Sequence, residues 1–187
     1  AYDSQRRRWH GVGGILLGLG NLLCKLYLTV IRGTPSTVQL LIMYFIIFGS
    51  SQNMMAAAII SFGVNSGAYV AEIVRSGIMS IPKGQMEAGR SLGLNYATTM
   101  RCIIIPQAIK NILPALGNEL ITLLKETSIC TVIGLMDLTK GAMIVQSRTY
   151  APWVPYLSIA IIYLVIVLIL TKLLGILERR LRESDRR

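Results

Sequence analysis

Between Gly33 and Ala71 the chain places 39 consecutive residues without a single Asp, Glu, Lys or Arg. Crossing the hydrocarbon core of a bilayer takes about 20 apolar residues, so this run is too long for one helix and is read as two. The polar break "GSSQN" at 49–53 divides it into spans at 35–49 and 54–75. A second uncharged run, Thr149 to Thr171, contains "WVPYLSIAIIYLVIVLILT" and forms another span. Trp153 and Tyr156 lie at its start, where aromatic rings favour the membrane–water boundary. A less regular apolar stretch at 112–135 is interrupted by Glu119, Lys125 and Glu126. Of the 187 residues, 53% are hydrophobic and 15% charged, against about 25% charged in soluble domains. In lipid the backbone N–H and C=O groups must be paired within the segment, which for these runs means helices. The expectation is a single all-α polytopic membrane domain over 1–187 with about four transmembrane helices. Residues 1–33 form a cytoplasmic or interfacial segment, 34–75 two spans, 76–111 a cytoplasmic loop, 112–177 two spans and 178–187 a cytoplasmic tail.

The formal net charge of +10 falls in patches between apolar runs, without an aromatic, basic stacking surface. The partner it implies is therefore a bilayer, not nucleic acid. With four spans, the start of the chain (Arg6, Arg7, Arg8, Lys25, Arg32), the stretch from Arg75 to Lys110 and the tail from Lys172 share one side, leaving only Lys125, Lys140 and Arg148 opposite. That bias puts both termini in the cytoplasm. The segment "GGILLGLGNLLCKLYLTVI" before Arg32 is long enough for a further span. Because Lys25 and an odd span count would break the bias, it is read instead as an interfacial or partly buried helix. Cys24, Cys102 and Cys130 form no CxxC pair and no metal spacing, and are read as buried or lipid-facing thiols.

The stretch "IPKGQMEAGRSLGLNYATTMRCIIIPQ", 81–107, is charged and punctuated by glycine, yet joins two apolar runs without a linker. Pro82 pushes Ile81 toward an extended conformation and ends the preceding span. A helix from about Gly84 to Leu92 follows, with Glu87 in its early turns, where the helix dipole favours a carboxylate. Ala88, Leu92 and Tyr96 share a face at four-residue spacing, with Gly89 and Gly93 beside them. Such a small-residue surface admits the close approach of another protein. Gly89 costs about 1 kcal/mol relative to Ala in a helix interior, so the segment needs something to dock against. The alternative is a solvated loop helix.

The order Glu87, Ala88, Gly89, then Gly93, then Ile103, Ile105 and Pro106 resembles the cytoplasmic EAA loop of bacterial ABC-importer permeases, with Gly89 in place of Ala and Ile105 in place of Leu. "RGTPSTVQLLIMYF" (32–45), "GAYVAEIVRSGIMSIPKGQ" (67–85) and "LPALGNELITLLKETSI" (113–129) are similar to the polar amino-acid uptake branch of those permeases, over about 30–177. The resemblance implies a type I importer fold. It also implies that Gly84, Glu87, Ala88, Gly89, Leu92, Gly93 and Pro106 couple the chain to a cytoplasmic ABC ATPase dimer. Further implied partners are a second permease subunit, the same or homologous, an extracytoplasmic solute-binding protein and an amino-acid substrate, in the bacterial inner membrane. Family members usually have five spans with the first terminus outside, so the first span is expected to be missing here.

No "GxxxxGK[ST]" occurs, so the chain holds no P-loop of its own. ATP and magnesium are expected on the partner ATPase, with no cofactor here. His10, the only histidine, lies beside a basic cluster and is read as a surface residue, and no nucleophile–base–orienter set is present, so an enzyme is not expected. An ionised group at mid-bilayer costs about 2.5 to 3.5 kcal/mol, and the helical neighbours of Glu119 (Ala115, Leu116, Thr122, Leu123) include no base. Two readings stand: Asn118 and Glu119 face a translocation pathway, or Glu119 is a structural carboxylate between subunits. Asn65 and Ser66 are further pathway candidates, set against Gly63 and Gly67, whose spacing suits helix packing. Glu72 and Arg75 can pair at three-residue spacing as a structural or gate pair. Arg32 is read as an interfacial anchor, and Pro106 and Pro114 are expected to bend the third span. The functions that remain are an ATP-driven importer subunit, an ion- or proton-coupled transporter or channel, and a membrane scaffold.

Overall fold

A computed structural model describes residues 12–51 and 53–183. His10, Arg6, Arg7 and Arg8 lie outside the described residues. Within them the chain is helical. α1 (Val12–Gly33) and α2 (Ser36–Ile42, continued by a π turn at Met43–Ile47) precede α3 (Met54–Met79) and α4 (Lys83–Ser91). α5 (Tyr96–Thr99) runs through a π turn (Met100–Ile104) into α6 (Ile105–Glu126) and a 3-10 end at Thr127–Ile133; α7 (Leu138–Thr149) and α8 (Trp153–Glu183) follow.

By length and composition, three of these helices can cross a membrane among the described residues, and four if the bent pair Tyr96–Ile133 and Leu138–Thr149 is one span. The number agrees with the four expected, but its membership differs. Ile15–Gly33, within the segment expected to be interfacial or partly buried, is long and apolar enough to cross. Lys25 lies inside it. It is exposed and lies eight residues from the helix end, about 12 Å, close enough for its flexible stem to carry the ammonium toward the boundary. Ser36–Ile47 is a shorter apolar helix, about 18 Å long against a core of about 30 Å, so it cannot cross alone as a straight span.

α3 begins where Asn53 caps it, the Ala56 N–H donating to Asn53 Oδ1 at 3.0 Å. It ends at Ser80, after which Pro82 takes an extended conformation (φ −55°, ψ 136°). The chain therefore stops its long helix where proline was expected to stop it. Toward the α2 end of α3 the core is Leu40, Ala58, Phe62, Cys130 and Ile133; toward α4 it is Ile81, Met86, Ile104, Ala108 and Ile112. Cys24 and Cys102 are exposed, Cys130 is buried, and all three are free.

The long helices meet through small residues. A Cβ on Gly77 would lie 2.3 Å from Ile112 Cγ1, and one on Gly117 would lie 2.3 Å from Leu174 Cδ1. α6 is thereby pressed against α3 on one side and α8 on the other. Pro106 and Pro114 were the expected sites of a bend in this helix. The π turn before Pro106 has Ile105 N–H donating to Met100 C=O, which shifts the ladder just ahead of a residue with no N–H. Pro114 lies inside α6. The 49° break falls at 134–137, where Gly134 has φ +86°, a conformation that other residues adopt only with strain.

Candidate coupling and translocation sites

The corner that joins α3 to α6 is built by local rules. α4 closes with a paired motif: Leu94 N–H donates to Gly89 C=O at 3.1 Å and Gly93 N–H to Arg90 C=O at 3.0 Å. This six-to-one and five-to-two pairing needs a left-handed residue after the helix, and Gly93 supplies it with φ +82°. Asn95 then caps α5, its Oδ1 accepting from Thr98 N–H at 2.8 Å. Gly93, expected in the docking surface, thus ends the helix by its backbone conformation and stays exposed.

Gly89 itself is turned inward. A Cβ there would meet Thr99 Cγ2 at 2.5 Å and Ile103 Cδ1 at 3.2 Å, so the close approach that its size permits is to the chain's own α5 and π turn. Met86 is buried beside it, against Ile81 and Ile104. Gly84, Glu87, Ala88, Leu92, Gly93, Tyr96 and Pro106 are exposed, with Leu92 at 81% and Tyr96 at 54%. α4 therefore has an anchored edge of Met86 and Gly89 and a free edge of Glu87, Ala88 and Leu92. Glu87 lies in the second turn, the first holding no acid, and Ser91 Oγ donates to its carbonyl at 3.0 Å.

Of the expected pathway residues, Ser66 and Glu119 are brought together: Ser66 Oγ on α3 donates to Glu119 Oε1 on α6 at 3.0 Å. Both are half-buried and Ser66 lies near the middle of α3. The hydroxyl is neutral and cannot compensate the carboxylate's charge. Asn118 is exposed, its carbonyl accepting from Thr122 Oγ1 at 3.1 Å. Asn65 points elsewhere: it is buried to 4% and its Nδ2 donates to Gln39 Oε1 at 3.0 Å. Gln39 Nε2 in turn donates to Ile31 C=O at 2.7 Å and to Thr34 C=O at 3.0 Å. Nearby, Tyr27 hydroxyl donates to Val64 C=O at 2.6 Å and would lie 3.1 Å from a Cβ on Gly67. Gln39 was not singled out from sequence, because its three partners lie at separations of 8, 5 and 26.

Glu72 and Arg75 pair as their spacing indicated, through Arg75 Nε to Oε2 at 2.9 Å and Nη2 to Oε1. A second cation joins them: Arg32 Nη1 lies 3.6 Å from Glu72 Oε2, with its guanidinium 5.8 Å over the Tyr69 ring. Among the described residues no group of three or more His, Cys, Asp or Glu is placed to hold a metal ion.

An apolar helix bundle in which α3 and α6 are joined by a capped, half-exposed corner matches a known family. Residues 12–183 match the family described as the binding-protein-dependent transport system inner membrane component. The chain belongs to that family. It is 42% identical to the arginine transport system permease protein ArtQ of Bacillus subtilis, over 92% of this chain and 85% of that protein. To the glutamine transport system permease protein GlnP of Escherichia coli K12 it is 36% identical, over 91% and 85%. Among solved structures it is similar to an amino acid ABC transporter crystallised with histidines, with TM-score 0.81 and 53% identity over 85% of this chain and 75% of that one. It also shares the fold of the MetNI methionine ABC transporter, with TM-score 0.71 at 18% identity over 94% and 80%. Membership favours an ABC importer permease over an ion-coupled transporter, a channel or a scaffold, and an inner-membrane, multi-pass location.

The Gln39–Asn65 pair ties the end of α1, the "RGTP" turn and α3 together. Asn65→Leu and Gln39→Leu should each lower thermal stability in detergent. The double variant should lose less than the sum, by about 1 kcal/mol of coupling. Additive losses in the melting curves would show that the pair does not act as a unit.

Proposed function

We propose that this chain is the membrane-spanning subunit of an ATP-driven importer for polar amino acids, working as a dimer and coupled to a cytoplasmic ATPase through α4. The observation that carries the coupling is the division of α4 into two edges. Met86 and Gly89 fix it to α6's extension, while Glu87, Ala88 and Leu92 stay exposed. An exposed apolar side chain such as Leu92 beside a small residue suits insertion into a groove on a partner. A displacement of α4 would pass through Thr99 and Ile103 into the helix that carries Glu119.

In this reading α1, α3, Tyr96–Ile133 and α8 are crossings, and Ser36–Ile47, too short to cross alone, completes a fifth with its flanks, which puts α4 and the end of α8 on one side. Arg32, Arg75, Lys83, Arg90, Arg101, Lys110 and the six basic residues from Lys172 onward then face the cytoplasm, with Arg6, Arg7, Arg8, Lys125, Lys140 and Arg148 outside. The positive excess still marks the α4 side as cytoplasmic. ATP and magnesium belong to the partner ATPase, and an extracytoplasmic binding protein delivers substrate to the face between α7 and α8.

Ser66 and Glu119 are the pathway residues of this proposal, with Asn118 beside them. Glu119 offers a carboxylate that accepts a hydrogen bond from the Ser66 hydroxyl and forms no salt bridge among the described residues, so an ammonium or guanidinium group entering between α3 and α6 would find an uncompensated charge. Asn65 serves the Gln39 network instead, and Glu72 with Arg75 a structural or gating role.

Two variants test this in proteoliposomes of the complex. Glu87→Arg should abolish co-purification of the ATPase and uptake, while leaving the permease folded; an intact complex with normal uptake would remove α4 as the coupling element. Glu119→Gln should reduce uptake of cationic amino acids by about tenfold, from the loss of a charged contact, with neutral substrates little affected. Unchanged affinity and preference would remove Glu119 from the pathway.

A further inference from the structure

At the end of α1 nearest α4, two guanidinium groups converge on one carboxylate. Arg75 engages both oxygens of Glu72, and Arg32 reaches the same carboxylate only at 3.6 Å, beyond ordinary hydrogen-bond length. The cluster keeps one positive charge in excess. The side chains of Arg32 and Arg75 are 41% and 55% exposed, against 24% for Glu72, so the excess faces outward. The Tyr69 ring beneath Arg32 holds the guanidinium plane in place, as cation–π stacking does.

The cluster's depth is fixed by the helices that carry it. Arg32 lies in the last turn of α1, whose Ile15, Leu16, Leu19, Leu22, Leu23 and Leu26 are all exposed, as a helix against lipid would be. Arg75 lies one turn before the end of α3. Both guanidinium groups therefore sit at the level of the headgroups on the α4 side, where phosphates are concentrated. Arginine offers paired N–H donors that match phosphate oxygens, and a planar cation that gives up its water readily.

We propose that Arg32 and Arg75 form a binding site for the phosphate of a singly anionic phospholipid, with Glu72 setting its strength by competing for the same guanidinium groups. Bound there, the lipid bridges α1 and α3 on the outside of the bundle, next to the corner that leads into α4. The proposal rests on the chain's membrane setting and on no assignment of inside or outside.

The test uses the permease purified in neutral detergent and titrated with phosphatidylglycerol, phosphatidylcholine or inorganic phosphate, with bound molecules read by native mass spectrometry. Phosphatidylglycerol should bind in preference to phosphatidylcholine. Arg32→Gln should weaken it about fivefold, the worth of one basic residue at an anionic surface, and Arg148→Gln should leave it unchanged. Glu72→Gln should strengthen it, a gain that a misfolded variant would not produce. Equal binding of phosphatidylglycerol to the wild type and Arg32→Gln would overturn the site. Weaker binding by Glu72→Gln would also overturn it, and inorganic phosphate displacing the lipid at equal concentration would assign the site to a free anion instead.

Discussion

The close approach of α6 to two neighbours, at Gly77 on α3 and at Gly117 toward α8, is the contact on which the rest of the packing depends. In each case a Cβ would lie 2.3 Å from a side-chain carbon of the opposite helix, a separation open only to glycine in this arrangement. Lipid tails are as apolar as leucine, so helices in a bilayer gain little from hiding hydrophobic surface from one another. They associate through dispersion contacts that small residues bring within reach. With α3 and α8 set against it, α6 becomes the common element. Its extension through the π turn gives Gly89 of α4 a surface of Thr99 and Ile103 to rest on. From Thr99 to Glu119 is twenty residues of nearly continuous helix, about 30 Å, so the coupling corner and the mid-membrane carboxylate lie on one rod.

The polar groups inside the bundle divide into those already satisfied and those left open. Gln39 uses both ends of its amide, on Asn65 and on the carbonyls of Ile31 and Thr34. Ile31 C=O belongs to the last turn of α1, where a helix has no acceptor-satisfying N–H of its own. These bonds tie the "RGTP" turn to the end of α1 and to α3. Glu119 is different. Its hydrogen bond to Ser66 holds it across the α3–α6 seam. In the proposed function, a charged substrate drawn to Glu119 would compete with Ser66 there.

Much of this was readable from the sequence, and the failures have physical causes. α3 and α8 were visible because uncharged runs of membrane length leave few alternatives. The end of α3 at Pro82 and the Glu72–Arg75 pair followed from rules that act over three or four residues. α1 is ambiguous in sequence because Lys25 interrupts its apolar run, although an exposed lysine eight residues from a helix end can reach the boundary. The 49° break at 134–137, where Gly134 has φ +86°, had no signal in the sequence as plain as a proline. Gly89 and Gly93 looked alike in sequence and do different work: one is a contact, the other a backbone conformation. Gln39 was missed altogether, since nothing local announces a partner 26 residues away.

The central claim, that α4 passes work from an ATPase to a pathway at Glu119, is tested most directly by the energy source of transport. The permease, its ATPase and its binding protein would be reconstituted in proteoliposomes with a radiolabelled amino acid, with ATP supplied on the α4 side and a protonophore added. The account predicts uptake that requires ATP and persists when the proton gradient is collapsed. Uptake by the permease alone, driven by the gradient and abolished by the protonophore, would contradict it.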